Sequence, residues 1–179
     1  TMLDVQDYTM DARPPRIHLK RVEINNRYVD FNHWNPEAAK NSDTARTHAN
    51  GMRIKEVAAF YNYPLGLELP YRQNHLSFYF AATDWKAPHK IRYSYRLKGL
   101  EKGWSRSKAE TRADYRNLPP GKYTFEVKAI GKAKTWSEPF RYTFIVHPPW
   151  WQTWWAQLFY LLALVLLVGA VVRLRTVQL

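Results

Sequence analysis

Six histidines, at positions 18, 33, 48, 75, 89 and 147, are the side chains best suited to move a proton or hold a metal near neutral pH. They are scattered: no His-x-x-x-His pair occurs, and no Glu stands beside a histidine at the spacing of a zinc hydrolase helix. The absence of cysteine removes thiolate nucleophiles and cysteine zinc sites. The seven glycines form neither a phosphate loop nor a dinucleotide fingerprint. No serine occupies a nucleophile elbow, although a Ser-His-Asp set stays open because its members need not be neighbours in sequence. Asp84 and Glu101 fall in loops after strands, where a carboxylate caps a turn. Neither catalysis, a metal nor a cofactor is expected of this chain.

Positive charge is the chemistry that stands out. Lys and Arg number 27 against 15 Asp and Glu, for a formal net charge of +12. The excess concentrates between Lys86 and Arg116, where ten basic residues face only Glu101, Glu110 and Asp114. A basic surface suits nucleic acid, anionic lipid or an acidic polysaccharide, and equally a plain solvated face. Lys90, Arg92, Arg96 and Lys98, interleaved with aromatic residues, make the candidate anionic-ligand face: rings to stack on sugars, cations to meet sulfates or carboxylates of an oligosaccharide.

The elements that would carry these residues read as strands. Leu76, Phe78, Phe80 and Ala82 alternate on one face, as do Ile91, Tyr93, Tyr95 and Leu97, then Tyr123, Phe125, Val127 and Ala129, then Phe140, Tyr142, Phe144 and Val146. Turn residues separate them: Ala87-Pro88-His89, Gly99 to Gly103, Leu118-Pro119-Pro120-Gly121, and Gly131 to Lys134. An earlier strand spans Ile17 to Ile24. Its alternation slips between Leu19 and Val22, which a β-bulge would produce, and Asn25-Asn26 supplies the next turn. Residues 1–16 read as an extended arm, and Asp30 to Met52 as a polar loop with one helical turn around Pro36 to Lys40. The fold class is all-β: an immunoglobulin or fibronectin type III-like antiparallel sandwich over 17–147. Leu118, the Pro-Gly turn and Tyr123 fit the corner of such sandwiches, which makes Tyr123 structural.

After the sandwich, His147-Pro148-Pro149 leads into a run without charge. Trp154 to Val172 contains one amide, Gln157, and no ionisable group except the Tyr160 phenol. At ~1.5 Å per residue such a helix spans about 28 Å, close to the ~30 Å hydrocarbon core of a bilayer. Trp150, Trp151, Trp154 and Trp155 crowd one end as interface anchors, and Arg173 and Arg175 close the other. The expected layout is a connector over 148–153, a transmembrane helix over 154–173 and the start of a cytoplasmic segment over 174–179. The two arginines put the C-terminus in the cytoplasm and the sandwich in the periplasm, with the helix in the inner membrane. Nucleic acid is then no expected partner. Thr1 to Pro15 lacks an apolar signal, so an export signal is expected upstream in a longer protein.

The runs NHLSFYFAATDW (Asn74 to Trp85), KIRYSYRLKGLEKGWS (Lys90 to Ser105), RADYRNLPPGKYTFEVKA (Arg112 to Ala129) and WSEPFRYTFIVHPPWWQTWW (Trp136 to Trp155) resemble the three-tyrosine sensor module, over about residues 14 to 175. That resemblance implies a place between a periplasmic β-propeller and the single span of a bacterial two-component receptor. It also implies that Tyr95, Tyr115 and Tyr123 hold the family's tyrosine positions. A histidine kinase, a hybrid kinase-regulator or a DNA-binding output domain would follow the span in the parent, and neither propeller nor output lies within this sequence.

Two expectations about mechanism follow. Pro148 and Pro149 fix φ near −65° and join the last strand to the helix through a stiff connector, continued by Trp150 and Trp151. A homodimer would let a shift of the sandwich change how two such helices meet. The alternative from another functional class is a membrane-anchored carbohydrate-binding or adhesion module for acidic glycans.

Overall fold

The computed structural model describes residues 14–33, 51–84, 88–132 and 134–177. Most of the expected N-terminal arm, and the helical turn expected around Pro36 to Lys40, lie outside these residues.

Nine strands and one long helix are found among the described residues: β1 Arg16–Ile24, β2 Glu56–Val57, β3 Pro64–Leu65, β4 Leu67–Leu69, β5 Leu76–Thr83, β6 Arg92–Lys98, β7 Arg112–Tyr115, β8 Gly121–Ile130, β9 Phe140–Val146 and α1 Trp154–Val177. The strands form the expected sandwich. One sheet has the order β1-β5-β7 and the other β4-β9-β8-β6, while β2 and β3 pair by themselves. Between the named strands pairing is antiparallel except at one place, where β4 runs parallel to β9 with Leu67 opposite Phe144 and Leu69 opposite Val146. β4 belongs to the long connection between β1 and β5, which therefore returns to cover the edge of the second sheet.

Alternation drives the two sheets together. Tyr123, Phe125, Val127 and Ala129 of β8 are buried, as are Phe78 and Phe80 of β5 and Tyr142, Phe144 and Val146 of β9. Phe78 and Phe125, one from each sheet, stack at 4.2 Å between centroids with an interplanar angle of 7°. Each aromatic ring removed from water in this way contributes roughly 1.5–3 kcal/mol. The phase slip in β1 is a bulge: the register against β5 shifts between Leu19 and Arg21, so Leu19, Val22 and Ile24 all reach the core. Asn25 and Asn26 then turn the chain at φ 52° and 58°, a conformation asparagine tolerates better than most residues.

Strand direction sorts the molecule into two poles. Arg16, at the start of β1, pairs with Thr83, and the adjoining Pro15 lies beside Gly131 just past the end of β8. Val146, at the end of β9, pairs with Gly121 at the start of β8. The chain thus enters the sandwich at one pole and leaves for α1 at the other.

Candidate functional site

The three tyrosines singled out by sequence are set on strands of both sheets and differ in task. Tyr123 opens the inward row of β8, and its hydroxyl donates to the Pro119 carbonyl at 2.7 Å, tying the strand to the turn before it. Burial pushes its phenol up. Tyr115 ends β7 and donates to Glu101 Oε2 at 3.0 Å, while the same oxygen accepts from the Leu97 amide at 2.7 Å. Glu101 therefore caps the turn after β6. Burial, followed by the Glu101 charge and hydrogen bond, drives the Tyr115 phenol far above its ordinary range. Tyr95 is partly buried and touches Phe80, Tyr115 and Phe125 with ring separations of 5.9, 6.5 and 6.3 Å. Tyr95 and Tyr115 are in contact; Tyr123 packs instead on Phe144, at 5.6 Å.

The connector is docked. Pro149 is buried with φ −65° and ψ 150°, and Trp150–Gln152 makes a single tight turn before α1. Two contacts bind this region to the β4 segment. The His147 amide donates to the Leu69 carbonyl at 2.8 Å, and its Nε2 lies 3.0 Å from Glu68 Oε2. Beyond Pro149, the Trp151 ring meets Tyr71 edge-on at 5.0 Å. Trp150 stacks on Trp155 at 6.3 Å.

α1 is the one helix among the described residues that is long and apolar enough to cross a membrane. Its side chains from Leu158 to Val171 are exposed, an arrangement water would oppose and lipid would not. Trp154 and Trp155 stand exposed at its first turn. Arg173 lies 18 residues after Trp155, about 27 Å along the axis at ~1.5 Å per residue. The helix backbone continues through Arg175 to Val177, past the expected limit at 173; the Arg175 side chain is outside the described set.

The four cations of the expected anionic-ligand face divide into two kinds. Lys90, in a tight turn, and Arg92, at the start of β6, are exposed. Arg96 and Lys98 are spent on a partner that the sequence reading passed over. Glu126 of β8 points away from the core yet is 1% exposed, because Arg96 reaches it at 2.7 Å, Lys98 at 2.9 Å and Arg141 at 3.1 Å. Burial acts to raise its carboxyl, but the hydrogen bonds from Lys98, Arg96 and Arg141 outweigh that and hold it at about 2. Beyond Arg96 the same face carries a ladder of cations and rings. The Arg96 guanidinium lies 4.5 Å from the Trp104 ring centre, and the Lys128 ammonium lies between Trp104 at 4.3 Å and Trp136 at 4.6 Å.

The outer face of the other sheet brings together a serine, a histidine and an aspartate. His75 Nε2 lies 2.7 Å from Asp114 Oδ1, and Ser77 Oγ donates to the same oxygen at 2.6 Å. Arg116 pairs with Oδ2 at 3.0 Å. Burial works against the Asp114 charge, but these hydrogen bonds hold its carboxyl well below the usual range. Nucleophilic catalysis needs the histidine between serine and aspartate to take the serine proton. Here the aspartate is in the middle and receives it, so the geometry is that of an anchored strand pair, β5 to β7. Among the described residues no group of three or more His, Asp or Glu is placed to hold a metal ion.

The fold is a 3+4 strand sandwich ending in an apolar helix long enough to cross a membrane. Residues 86–147 match the family model of the Y_Y_Y domain, and they supply β6 to β9, while β1 to β5 complete the sandwich from outside the matched stretch. Over 143 residues the chain is 29% identical to histidine kinase P4 of Formosa agariphila, covering 76% of this chain and 10% of that protein. In structure it is similar to the extracellular domain of a proposed hybrid two component system from B. thetaiotaomicron, with TM-score 0.52 and 25% identity over 77% of this chain and 16% of that one. The extracellular domain of a proposed one component system from the same organism is similar at TM-score 0.53, with the same identity and coverage. The chain thus spans about a tenth of the curated relative it matches. Over 86–147 it is thus similar to the Y_Y_Y domain, and over most of its length to the extracellular domains of two component systems.

Proposed function

We propose that this chain is the extracytoplasmic, juxtamembrane relay of a histidine kinase or hybrid sensor. It passes a ligand-induced change from an upstream β-propeller to α1. The sandwich stands in the periplasm, α1 crosses the inner membrane towards a cytoplasmic C-terminus, and the receptor acts as a homodimer. The chain itself performs no catalysis; the parent's kinase does.

The observation that carries this reading is the joint. β9 runs into buried Pro149, one tight turn and α1 without a flexible linker. Two lateral contacts, Glu68 with His147 and Tyr71 with Trp151, prevent it from swivelling independently. A tilt of the sandwich must then move the helix. In the full-length receptor, several Gly and Ser residues inserted after Val146 should abolish the ligand response while ligand binding persists. An unchanged response refutes the relay.

One observation favours the alternative, a membrane-anchored module for acidic glycans: the Trp104–Lys128–Trp136 ladder lies on the basic outer face. Against it, Arg96 and Lys98 are already held by Glu126 and are less free to meet a ligand's anion. Salt-sensitive binding of an acidic oligosaccharide, weakened by Arg92→Ala, would favour that module over the relay.

A further inference from the structure

We propose that the Pro70–Arg72 turn is a second contact with the bilayer, a foot beside the helix that sets the Arg72 guanidinium on phospholipid phosphates. The inference rests on the reading of α1 as a membrane span.

The height of the turn above the membrane follows from one contact. Trp151 stands three residues before α1 begins at Trp154. Tryptophan and tyrosine rings at the end of a span settle at the level of the lipid headgroups. Tyr71 packs its ring on Trp151 at 5.0 Å and an interplanar angle of 77°, so it reaches that same level. The next residue is a cation held over the ring: Arg72 Nε donates to the Tyr71 hydroxyl at 2.7 Å, with the guanidinium 5.5 Å from the ring centre. Arg72 is exposed and has no carboxylate partner among the described residues. A planar fork of donors with no carboxylate partner among the described residues, placed among headgroups, matches phosphate in shape and charge.

The turn is also held in shape before any lipid arrives. The Gln73 amide donates to the Pro70 carbonyl at 2.9 Å, and Asn25 Nδ2 donates to the Arg72 carbonyl at 3.2 Å. Little conformational entropy remains to be lost on contact. The same pole presents exposed Arg27 and Lys122, likewise without a carboxylate partner among the described residues. Anionic headgroups attract such a basic surface at short range.

The lack of native cysteine allows a clean test. The chain is reconstituted in phosphatidylethanolamine–phosphatidylglycerol vesicles with one dye, on Arg27→Cys, on Arg92→Cys at the opposite pole, or on Leu164→Cys in mid-helix. A nitroxide on the headgroup should remove most of the emission from position 27 and little from 92. Adding Arg72→Glu should restore much of the emission at 27. If position 27 is quenched no more than 92 while a mid-chain nitroxide quenches 164, the span is right and the foot is wrong. If 164 is not quenched, the membrane reading fails and the foot fails with it. Quenching at 27 that Arg72→Glu leaves unchanged overturns the role of the guanidinium.

Discussion

Arg96 donates to Glu126 at 2.7 Å from the neighbouring strand, and their positions face each other in the β6–β8 register. On the far side Glu126 faces Arg141 of β9. One carboxylate thus clamps three adjacent strands on the outside of the sandwich. Glu126→Gln should cost about 1–3 kcal/mol in urea denaturation. That is below the ~3–5 kcal/mol of a wholly buried pair, because Lys98 and Arg141 stay half or more exposed.

The same residue sets an acid dependence. Its carboxyl is held at about 2 against an ordinary 4.5. A depressed folded value means the stabilisation is complete above the unfolded value and is lost as pH falls through the folded one. Stability should therefore decline between pH 4.5 and about 2, and the decline should be shallower in Glu126→Gln. A pH series of urea midpoints for both proteins checks this.

Alkali should act through the phenols. Burial raises Tyr115 and Tyr142 well above 10.0, with the Glu101 charge adding to the first and Tyr63 to the second. A raised folded value keeps the stabilisation below 10.0 and loses it above. Phenolate absorbance from these two rings should appear only as circular dichroism reports unfolding. Their ionisation within an intact fold would contradict the packing.

Tyr123→Phe removes the hydroxyl that meets Pro119 O at 2.7 Å and leaves the ring on Phe144. A loss of about 0.5–1.5 kcal/mol is expected, with the fold retained. Thermal melts of the two proteins measure it.

Gly99→Ala should be harsher than its size suggests. Gly99 has φ +100°, and an added Cβ would come within 2.9 Å of the Lys122 carbonyl oxygen and of Tyr123 Cδ1. Backbone strain of this type costs about 1–3 kcal/mol. Gly103, where a Cβ would meet nothing within 4 Å, supplies the control.

Long alternating strands are legible in sequence because period two repeats often enough to be counted. β8 and β9 are of this kind, and the bulge in β1 is visible as a broken phase between Leu19 and Val22. Short strands give no such count. β7 has two buried positions, Ala113 and Tyr115, and β4 is Leu67-Glu68-Leu69, whose parallel seat beside β9 depends on a distant segment. The candidate site divides in the same way. Local chemistry pointed to the Tyr123 corner and to the Pro148–Trp151 connector. The pairing of Arg96 and Lys98 with Glu126 is a matter of strand register, and the contact of Tyr71 with Trp151 is one of tertiary packing. Neither leaves a mark on neighbouring residues.

The opposite-pole arrangement of Arg16 and Val146 has a mechanical meaning. In the relay proposed above, a pull between an upstream domain and α1 would run along the strands. The β1–β5 and β8–β9 ladders are then loaded in shear, with many hydrogen bonds resisting together, instead of being unzipped one at a time. Such a body behaves as a strut: it stretches little and hands force on undiminished, until a whole ladder gives way at once.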